Sequence, residues 1–586
     1  MGLLQKACET YDAMAGRVGI MYEKEKEPLA PISHMMARPQ IKITLDQNGN
    51  FITAQALEKD VPKIIIPATE ESAGRTVKAA ELPHPLCDYL RYLLPQNQVE
   101  YSHYVSQLSA WVNSPFSHPK LHAILNYVQD RTILADLSQA GITAEEKAMV
   151  CWEVNGLGEK LNGPCWTDQT LMKAFIDYTA AKRADTPPAL CMVSGEMEAP
   201  AGQHPKGIIP INGNAKLISA NDSSGFTYRG RFDDAAQAAT VGYTASQKAH
   251  NALRWLVANQ SVSFGGRTFV CWSPQGIQIP KVTGPMGRKG GGNVQRAATP
   301  SQYQKQLWEA LSGWKEDLRP PAGVVIAAFD AATTGRLAVT YYNELLASDF
   351  LDRLHDWEVS CCWENGPYGI QSPSLFQIVS WAFGTPRNAE IDDRILKQQM
   401  QRLVACRVDK APFPLDIERA LVEKASHLLL YEGENRQKLL FTACAAIRKY
   451  HSKEKWDMAL DKNCSDRSYL FGRLLAIADA IENSTYTDED RRETNAIRMQ
   501  KVFTLRPMAT WSALWDKLAP YNKRLAQSKP KLYRYYQSMI DDILDSFSPS
   551  DSTLNQQLDD IYLLGYSHQR AYRNEKTDQQ ETEEES

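Results

Sequence analysis

The spacing of apolar residues along the chain changes from a period of about two to a period of about 3.6. In residues 40–45, apolar positions alternate with polar ones just before Asn48-Gly49, a dipeptide typical of tight β-hairpins. Other runs are rich in β-branched and aromatic residues and predict strands: 150–156, 215–220, 267–274 and 324–345. Before these runs, residues 87–95 and 111–134 predict helices. The first two thirds of the chain should therefore mix helices with short sheets.

After about residue 389 the pattern becomes helical. Amphipathic segments occupy residues 436–451, 468–482, 496–505, 510–525, 531–547 and 554–570. We therefore predict an α+β fold with two domains and a tail. The domains are a mixed N-terminal and central domain with short β-sheets (1–388) and a C-terminal helical bundle (389–573), followed by a disordered acidic tail (574–586).

Composition places the chain among ordinary globular proteins. Its 586 residues are 43% apolar and 23% charged, and no run of apolar residues is long enough to cross a membrane. The N-terminus does not resemble a signal peptide. Eleven scattered cysteines without a C-x-x-C pair are typical of reduced thiols. We expect a cytoplasmic protein.

The formal net charge of −4 comes from the C-terminal end of the chain. The last thirteen residues hold six acidic groups and one lysine, so the rest of the chain is close to neutral. A near-neutral body does not exclude nucleic-acid binding, because a local basic groove matters more than the sum.

Residues 191–259 carry the densest candidate chemistry. A polar segment rich in turn-forming residues interleaves cations with aromatic rings and precedes an apolar, helix-like stretch. Cations contact phosphates, rings stack on bases, and amides and hydroxyls hydrogen-bond base edges. The candidate nucleic-acid-binding residues here are Lys206, Asn221, Ser223, Phe226, Tyr228, Arg229 and Arg231.

A glycine-rich segment at residues 284–300 is a second candidate. A phosphate-binding P-loop requires Gly-Lys-Ser/Thr, whereas Lys289 is followed by three glycines. Nucleotide hydrolysis is therefore not expected. The segment is either an inert loop or a basic finger that contacts phosphate through Arg288, Lys289 and Arg296, with Lys281 beside it.

Motifs for metal binding and hydrolysis are incomplete. Cys191 and His204 supply only half of a zinc site, and the doublet His355-Asp356 lacks the further ligands of a phosphohydrolase. The sequence contains neither G-x-S-x-G nor H-E-x-x-H. We expect no catalytic residues, no metal and no cofactor.

Basic residues also recur through the predicted bundle, and two interpretations stay open. They form either a solvated helical surface or an electrostatic track for single-stranded nucleic acid. The candidates for a track are Arg467, Arg473, Arg498 and Lys531.

Several of these segments, taken together, resemble one family. They are HPLCDYLRYLL (84–94), Cys191-x-x-Ser-Gly195 with His204-Pro205-Lys206, LISANDSSGFTY (217–228), YTASQKAHNALRWLV (243–257), FDAATTGRLAVTYY (329–342), APFP (411–414), SYLFGRLLA (468–476) and GYSHQR (565–570). In this order they resemble the large subunit of the type I-C CRISPR surveillance complex, Cascade. The chain departs from the family pattern at Ala220 and Gly225, which affects local contacts.

The resemblance implies a DNA-reading role without catalysis. Such a subunit recognises the protospacer-adjacent motif on duplex DNA, promotes R-loop formation, helps hold the displaced strand and recruits a helicase-nuclease. Its partners would be a guide RNA, target double-stranded DNA, CRISPR backbone subunits and a small subunit. In related complexes the small subunit is made from an internal start, for which Met458 is a candidate, so that the bundle would be small-subunit-like from about residue 458.

Two other functions compete with this one. The chain could mainly grip the 5′ end of the guide RNA without reading a motif, or it could be an unrecognised nuclease. Duplexes with and without the motif distinguish the first rival, and metal-dependent cleavage by the isolated chain would reveal the second.

Overall fold

The computed structural model describes residues 2–572 except 24, 76–79, 212, 220–231, 233–238, 287–295, 320–321, 334, 387–389, 488–491 and 549–551. Within these residues the fold is α+β, with long helices and several short sheets, which confirms the predicted class. No helix in the same residues combines the length and apolar character that a membrane crossing requires.

The chain divides into two compact units. Unit 1 comprises residues 1–278 and 322–345, and unit 2 comprises residues 279–321 and 346–586. The second unit thus includes a segment inserted before the last hairpin of the first. The domain boundary predicted between residues 388 and 389 does not coincide with a boundary of these units, and it stays a prediction. The predicted acidic tail lies outside the described residues.

Unit 1 contains most of the described strands. Its helices are α1 (Leu3–Ala13), α2 (Glu70–Gly74), α3 (Gln98–Val112), α4 (Pro119–Asp130), α5 (Ile133–Gln139), α6 (Gln169–Arg183) and α7 (Tyr243–Gln260). Its strands are β1 (His34–Ala37), β2 (Ile41–Leu45), β3 (Phe51–Ala56), β4 (Ile64–Pro67), β5 (Val150–Val154), β6 (Gly163–Pro164), β7 (Ala189–Leu190), β8 (Met197–Glu198), β9 (Val262–Phe264), β10 (Arg267–Trp272), β11 (Gly323–Thr333) and β12 (Arg336–Leu346).

The first four-stranded sheet has the order β3-β2-β5-β6, with β2 and β5 parallel. The β2–β3 hairpin confirms the signal at Asn48-Gly49. Asp46 accepts hydrogen bonds from the N–H groups of Asn48 and Asn50, both at 2.8 Å, and Gly49 has φ +96°. A left-handed residue at this turn favours glycine because a Cβ would meet the Ala123 carbonyl at 2.5 Å. The sheet packs with α3, α4 and α6 around buried Trp111, Trp152 and Phe175.

The second four-stranded sheet has the order β12-β11-β10-β9, as the run 324–345 predicted for a strand pair. The apolar start of β11 is fully buried because α1 and α7 cover the sheet. The Trp272 indole of β10 donates to the Thr10 hydroxyl of α1 at 2.9 Å. This core fixes α7, which bears on the candidate site.

Unit 2 is mainly helical. Its helices are α8 (Pro300–Asp317), α9 (Ala347–Ser360), α10 (Leu375–Phe383), α11 (Asp393–Val408), α12 (Leu415–Ala425), α13 (Gly433–Tyr450), α14 (Arg467–Asn483), α15 (Asn495–Leu505), α16 (Pro507–Ser528), α17 (Pro530–Asp545) and α18 (residues 562–572). A short hairpin joins β13 (Trp363–Glu364) to β14 (Ile370–Gln371). Met458 lies between α13 and α14, so a chain starting there would contain α14–α18.

Two glycines let α14 and α18 touch through their backbones. A Cβ at Gly472 would meet the Tyr562 carbonyl oxygen at 1.9 Å, and a Cβ at Gly565 would meet the Tyr469 carbonyl oxygen at 2.1 Å. The motifs SYLFGRLLA and GYSHQR therefore owe their glycines to one reciprocal helix contact. Nearby, the Tyr469 hydroxyl and His568 Nδ1 are hydrogen-bonded at 2.9 Å.

Three local predictions were wrong. Residues 87–95 form only a 3₁₀ turn at Leu90–Leu93, because Asp88 is buried and accepts backbone N–H groups that a helix would direct elsewhere. Residues 215–219 contribute two isolated bridges at Lys216 rather than a strand. Residues 554–561 are not helical, and the last helix begins at 562.

Candidate nucleic-acid interface

Three cationic residues of unit 1 lie side by side on neighbouring extended segments. Lys206 pairs with Lys216 in an antiparallel bridge, and Lys216 pairs with Arg336 in a parallel bridge. The Lys216 N–H donates to the Gly335 carbonyl at 3.1 Å, and the Lys216 carbonyl accepts from the Leu337 N–H at 3.0 Å. Backbone pairing therefore brings together cations from distant parts of the sequence.

Helix α7 adds a fourth cation. Arg254 Nε donates to the Lys206 carbonyl at 3.1 Å. Burial lowers the pKa of Arg254 to about 10, so its guanidinium is still protonated at neutral pH. We call Lys206, Lys216, Arg254 and Arg336 the basic cluster.

Three of the four cations in the basic cluster lack a close carboxylate among the described residues, and the charge of Glu27 acts on Arg254 only from a longer distance. Within the described part of the chain, no carboxylate lies within 4.0 Å of the charged groups of Lys206, Lys216 or Arg254. Burial lowers the pKa of Lys206, and the nearby charges of Lys216 and Arg254 lower it further. An anion bound at the cluster would relieve this repulsion.

Two histidines beside the basic cluster are neutral. The His204 and His250 rings stack with centroids 6.0 Å apart, and the His204 Nδ1 and Ser246 Oγ are hydrogen-bonded at 2.9 Å. Burial lowers the pKa of His204 to about 4 and that of His250 to about 3. The pair therefore packs the 204–206 segment on α7 without adding charge at neutral pH.

Cys191 stabilises the turn that precedes this segment. Its Sγ accepts hydrogen bonds from the N–H groups of Val193 and Ser194 at 3.4 Å and of Gly242 at 3.2 Å. The Cys-x-x-Ser-Gly motif therefore anchors the N-terminus of α7. No group of three potential metal ligands comes together among the residues that the structure describes.

Asp88 of the motif at 84–94 forms a buried ion pair with Arg75, which precedes the motif. Arg75 Nη1 donates to Asp88 Oδ2 at 2.8 Å, a second contact joins Nη2 to Oδ1, and the Asp88 side chain is fully buried. The Arg75 guanidinium also lies 4.7 Å from the centre of the Tyr92 ring. These contacts explain the motif by packing and charge pairing rather than by ligand binding.

Most of the nucleic-acid-binding residues predicted in the segments 191–259 and 284–300 lie outside the described residues. They are Asn221, Ser223, Phe226, Tyr228, Arg229 and Arg231, together with Arg288 and Lys289 of the glycine-rich segment. Three predicted residues in or beside these segments lie within the described chain. Lys206 belongs to the basic cluster, and Lys281 and Arg296 are exposed. The described chain reaches residue 219, three positions after Lys216, so the sequence joins the candidate segment directly to the cluster.

The predicted cations of unit 2 have different environments. Arg467 donates to the carbonyls of Gln556 and Gln557 at 2.8 and 2.9 Å, and Arg473 is 5% exposed and donates to Gln569 Oε1 at 3.1 Å. Both hold the bundle together. Arg498 and Lys531 are exposed.

A more extensive exposed surface surrounds Arg498. Residues 495–540 contain nine lysines and arginines but one acidic residue, Asp516. Lys501 is paired with Glu423 at 2.5 Å. We call the others that are exposed and have no ion-pair partner among the described residues the helical basic surface: Arg498, Arg506, Lys517, Lys523, Arg524, Lys529 and Arg534.

Of the four residues of the basic cluster, only Lys206 was predicted from the sequence. Arg254 lies in an apolar helix and Arg336 in a strand, and neither position carries a recognisable nucleic-acid motif. Lys216 lies in the turn-rich segment, and this position was the one local signal for the three cluster residues that were not predicted. Their proximity follows from backbone pairing between segments that are far apart in sequence.

An α+β chain that brings cations together in this way is typical of proteins that bind polyanions. The chain belongs to the family CRISPR-associated protein (Cas_Csd1), which matches residues 9–573. Membership implies that it works within a CRISPR effector complex. A comparison with curated proteins returned no match.

Proposed function

We propose that the chain is the large subunit of a type I-C interference complex and that it recognises the protospacer-adjacent motif on duplex DNA. Family membership supports the CRISPR setting. The observation that carries the DNA-reading role is the basic cluster, whose repelling cations are joined in sequence to the segment 220–231. Phosphate contacts from such a cluster would position a duplex, while side chains of the adjoining segment would read base edges.

The proposed roles divide between backbone and base contacts. Lys206, Arg229 and Arg231 hold phosphates, Asn221 and Ser223 read the motif, and Phe226 or Tyr228 stacks at the step where the duplex opens. Opening allows the guide RNA to pair with one strand. The displaced strand then follows exposed cations, for which the helical basic surface is suited. The subunit cleaves nothing itself and provides the surface on which a helicase-nuclease docks.

The direct test is duplex binding by the assembled complex, with every trinucleotide placed beside a matched target. We expect tight binding for a small set of trinucleotides. Replacing Asn221 should reduce discrimination among the trinucleotides. Charge reversal at Arg229 and Arg231 should instead weaken binding to all duplexes and reduce the salt dependence of that binding.

Two outcomes would contradict the proposal. Equal binding to all trinucleotides would favour a subunit that mainly grips the guide RNA. Metal-dependent cleavage of DNA or RNA by the isolated chain would show that it is a nuclease.

A further inference from the structure

Unit 2 contains a cavity of about 750 Å³ that the proposed function does not use. It lies among α9, α11, the end of α13 and the loop after α11. Its volume is within the range of about 300–1,000 Å³ that small-molecule sites occupy. The side chains that line it indicate the chemistry of its ligand.

Positive charge predominates in the lining. Arg353, Lys410, Lys449 and Lys453 line the cavity, and none has a carboxylate within 4.0 Å in the described part of the chain. The carboxylates of the lining are Asp356 and Glu454, and Glu454 is already hydrogen-bonded to His451 at 2.9 Å. An uncompensated excess of cations in a concave site attracts anions.

One of these cations is held by a specific contact. Lys449 Nζ donates to Ser360 Oγ at 2.8 Å and lies 5.1 Å from the centre of the Trp357 ring. The ammonium keeps further N–H groups for an acceptor, since lysine has three.

Two buried donors belong to residues that line the same cavity. The Trp357 side chain is 1% exposed, and its indole Nε1–H has no acceptor among the described residues. Arg407 is fully buried and bonds Val282, Gly284 and Glu358 through its terminal nitrogens, yet its Nε–H also has no acceptor in this part of the chain. Buried donors without acceptors are rare and reduce stability. Both nitrogens are closed off from solvent, so the contacts of a ligand in the cavity come from the solvent-accessible ammonium and guanidinium groups of the lining.

The backbone at Lys410 is a further unusual feature. Lys410 has φ +59° immediately after α11, where the Asp409 N–H donates to the Ala405 carbonyl at 2.8 Å. Helices commonly end with glycine in this left-handed conformation, and a lysine there is strained by about 1 kcal/mol. The position therefore places an ammonium at the cavity at some loss of backbone stability.

We propose that this cavity binds a phosphate group of a nucleotide, either free or within a nucleic-acid strand. Lys410, Lys449, Arg353 and Lys453 contact the phosphate oxygens. The site is separate from the motif-reading residues of unit 1. Its existence does not depend on how the motif is read.

The test is calorimetric titration of the full chain at low salt with pyrophosphate, ADP and a short single-stranded oligonucleotide. The key variant is Lys410→Gly, which removes the charge and relieves the backbone strain. We expect binding to weaken by about ten-fold or more, because one charge-assisted contact is lost, while the melting temperature stays equal or rises.

The chain offers a matched control in Lys455. It is also an exposed lysine with a positive φ, +54°, but it does not line the cavity. Lys455→Gly should leave the affinity unchanged.

Tighter binding of ADP than of the oligonucleotide would identify a free nucleotide as the ligand, and the reverse would identify a backbone phosphate. The proposal is overturned if none of the three probes binds the wild-type chain. It is also overturned if Lys410→Gly and Lys455→Gly change the affinity equally.

Discussion

The two units place their positive charge in different environments. In unit 1 the basic cluster is partly buried, its cations repel one another, and the pKa of Lys206 is lowered as a result. In unit 2 the helical basic surface is exposed on α15–α17, where solvent screens each charge. The first arrangement opposes folding and the second is nearly neutral. The basic cluster is therefore the stronger indication of an anionic partner, although the helical surface has more cations.

The same contrast applies to histidines. Burial keeps His204 and His250 neutral beside the cluster, whereas His451 of unit 2 is hydrogen-bonded to Asp560 at 2.8 Å and to Glu454 at 2.9 Å. These bonds raise the pKa of His451 to about 9. The charge of His451 is thus paired with carboxylates, whereas the charge of Lys206 has no carboxylate within 4.0 Å among the described residues.

The largest expected effect concerns the framework that carries the helical basic surface. Gly472→Ala should lower the free energy of unfolding by about 3 kcal/mol, because the new Cβ overlaps the Tyr562 carbonyl of α18. Urea denaturation followed by circular dichroism measures it. The control is Gly313→Ala in α8, where a Cβ has no neighbour within 4 Å and should add about 0.5 to 1 kcal/mol through helix propensity. Equal effects of the two substitutions would refute the close helix contact.

The second prediction separates binding from stability in unit 1. Lys206→Met and Lys216→Met should each weaken duplex binding by the assembled complex by about ten-fold, while the unfolding free energy of the chain stays equal or rises. The rise is expected because the lowered pKa of Lys206 means that its charge opposes folding at neutral pH. Lys173→Met, which removes an exposed partner of Asp177, is the control. A clear loss of stability in the Lys206 variant would assign that lysine a structural role.

The third prediction follows from His451. Its pKa is about 6.5 in an unfolded chain and about 9 in the fold, so the protonated ring stabilises the protein fully below pH 6.5. This stabilisation is lost as the pH rises toward 9, and after allowing for solvent screening we expect a loss on the order of 1 kcal/mol. Glu418 acts in the same direction, because burial and Asp560 raise its pKa to about 8.

Denaturant titrations at pH 6 and pH 9 test this, with His451→Gln as the variant. The variant should be less stable than the wild type at pH 6 and should approach it at pH 9. A constant difference between the two proteins would mean that the ring acts by packing alone.

The smallest effects are expected on the helical basic surface. Lys517→Gln or Lys523→Gln should change stability by less than about 0.5 kcal/mol and weaken single-strand binding only about two- to three-fold, with a salt slope reduced by about one. Lys501→Gln is the matched control, since Glu423 already neutralises Lys501. If all three variants bind alike, the helical surface is only a solvated face.

Residue patterning alone determined much of the architecture. Alternation around Asn48-Gly49 identified a hairpin, the apolar run 324–345 identified a strand pair, and the period of 3.6 identified the helices of unit 2, because these signals are local. The helix predicted at 87–95 was wrong because Asp88 pairs with Arg75, and the spacing of apolar residues carries no information about that contact. Residues 554–561 were likewise assigned by their apolar spacing alone.

The candidate sites show where local information ends. The amino-acid pattern shows that cations and turn-forming residues gather between residues 191 and 259, and the order of the motifs pointed to the family. That Arg254 and Arg336 join Lys206 and Lys216, and that Lys410, Lys449 and Trp357 line one cavity, became visible only in the fold. Periodicity reports which face of an element is buried, whereas charge clusters depend on which elements are neighbours, and that is fixed by long-range packing.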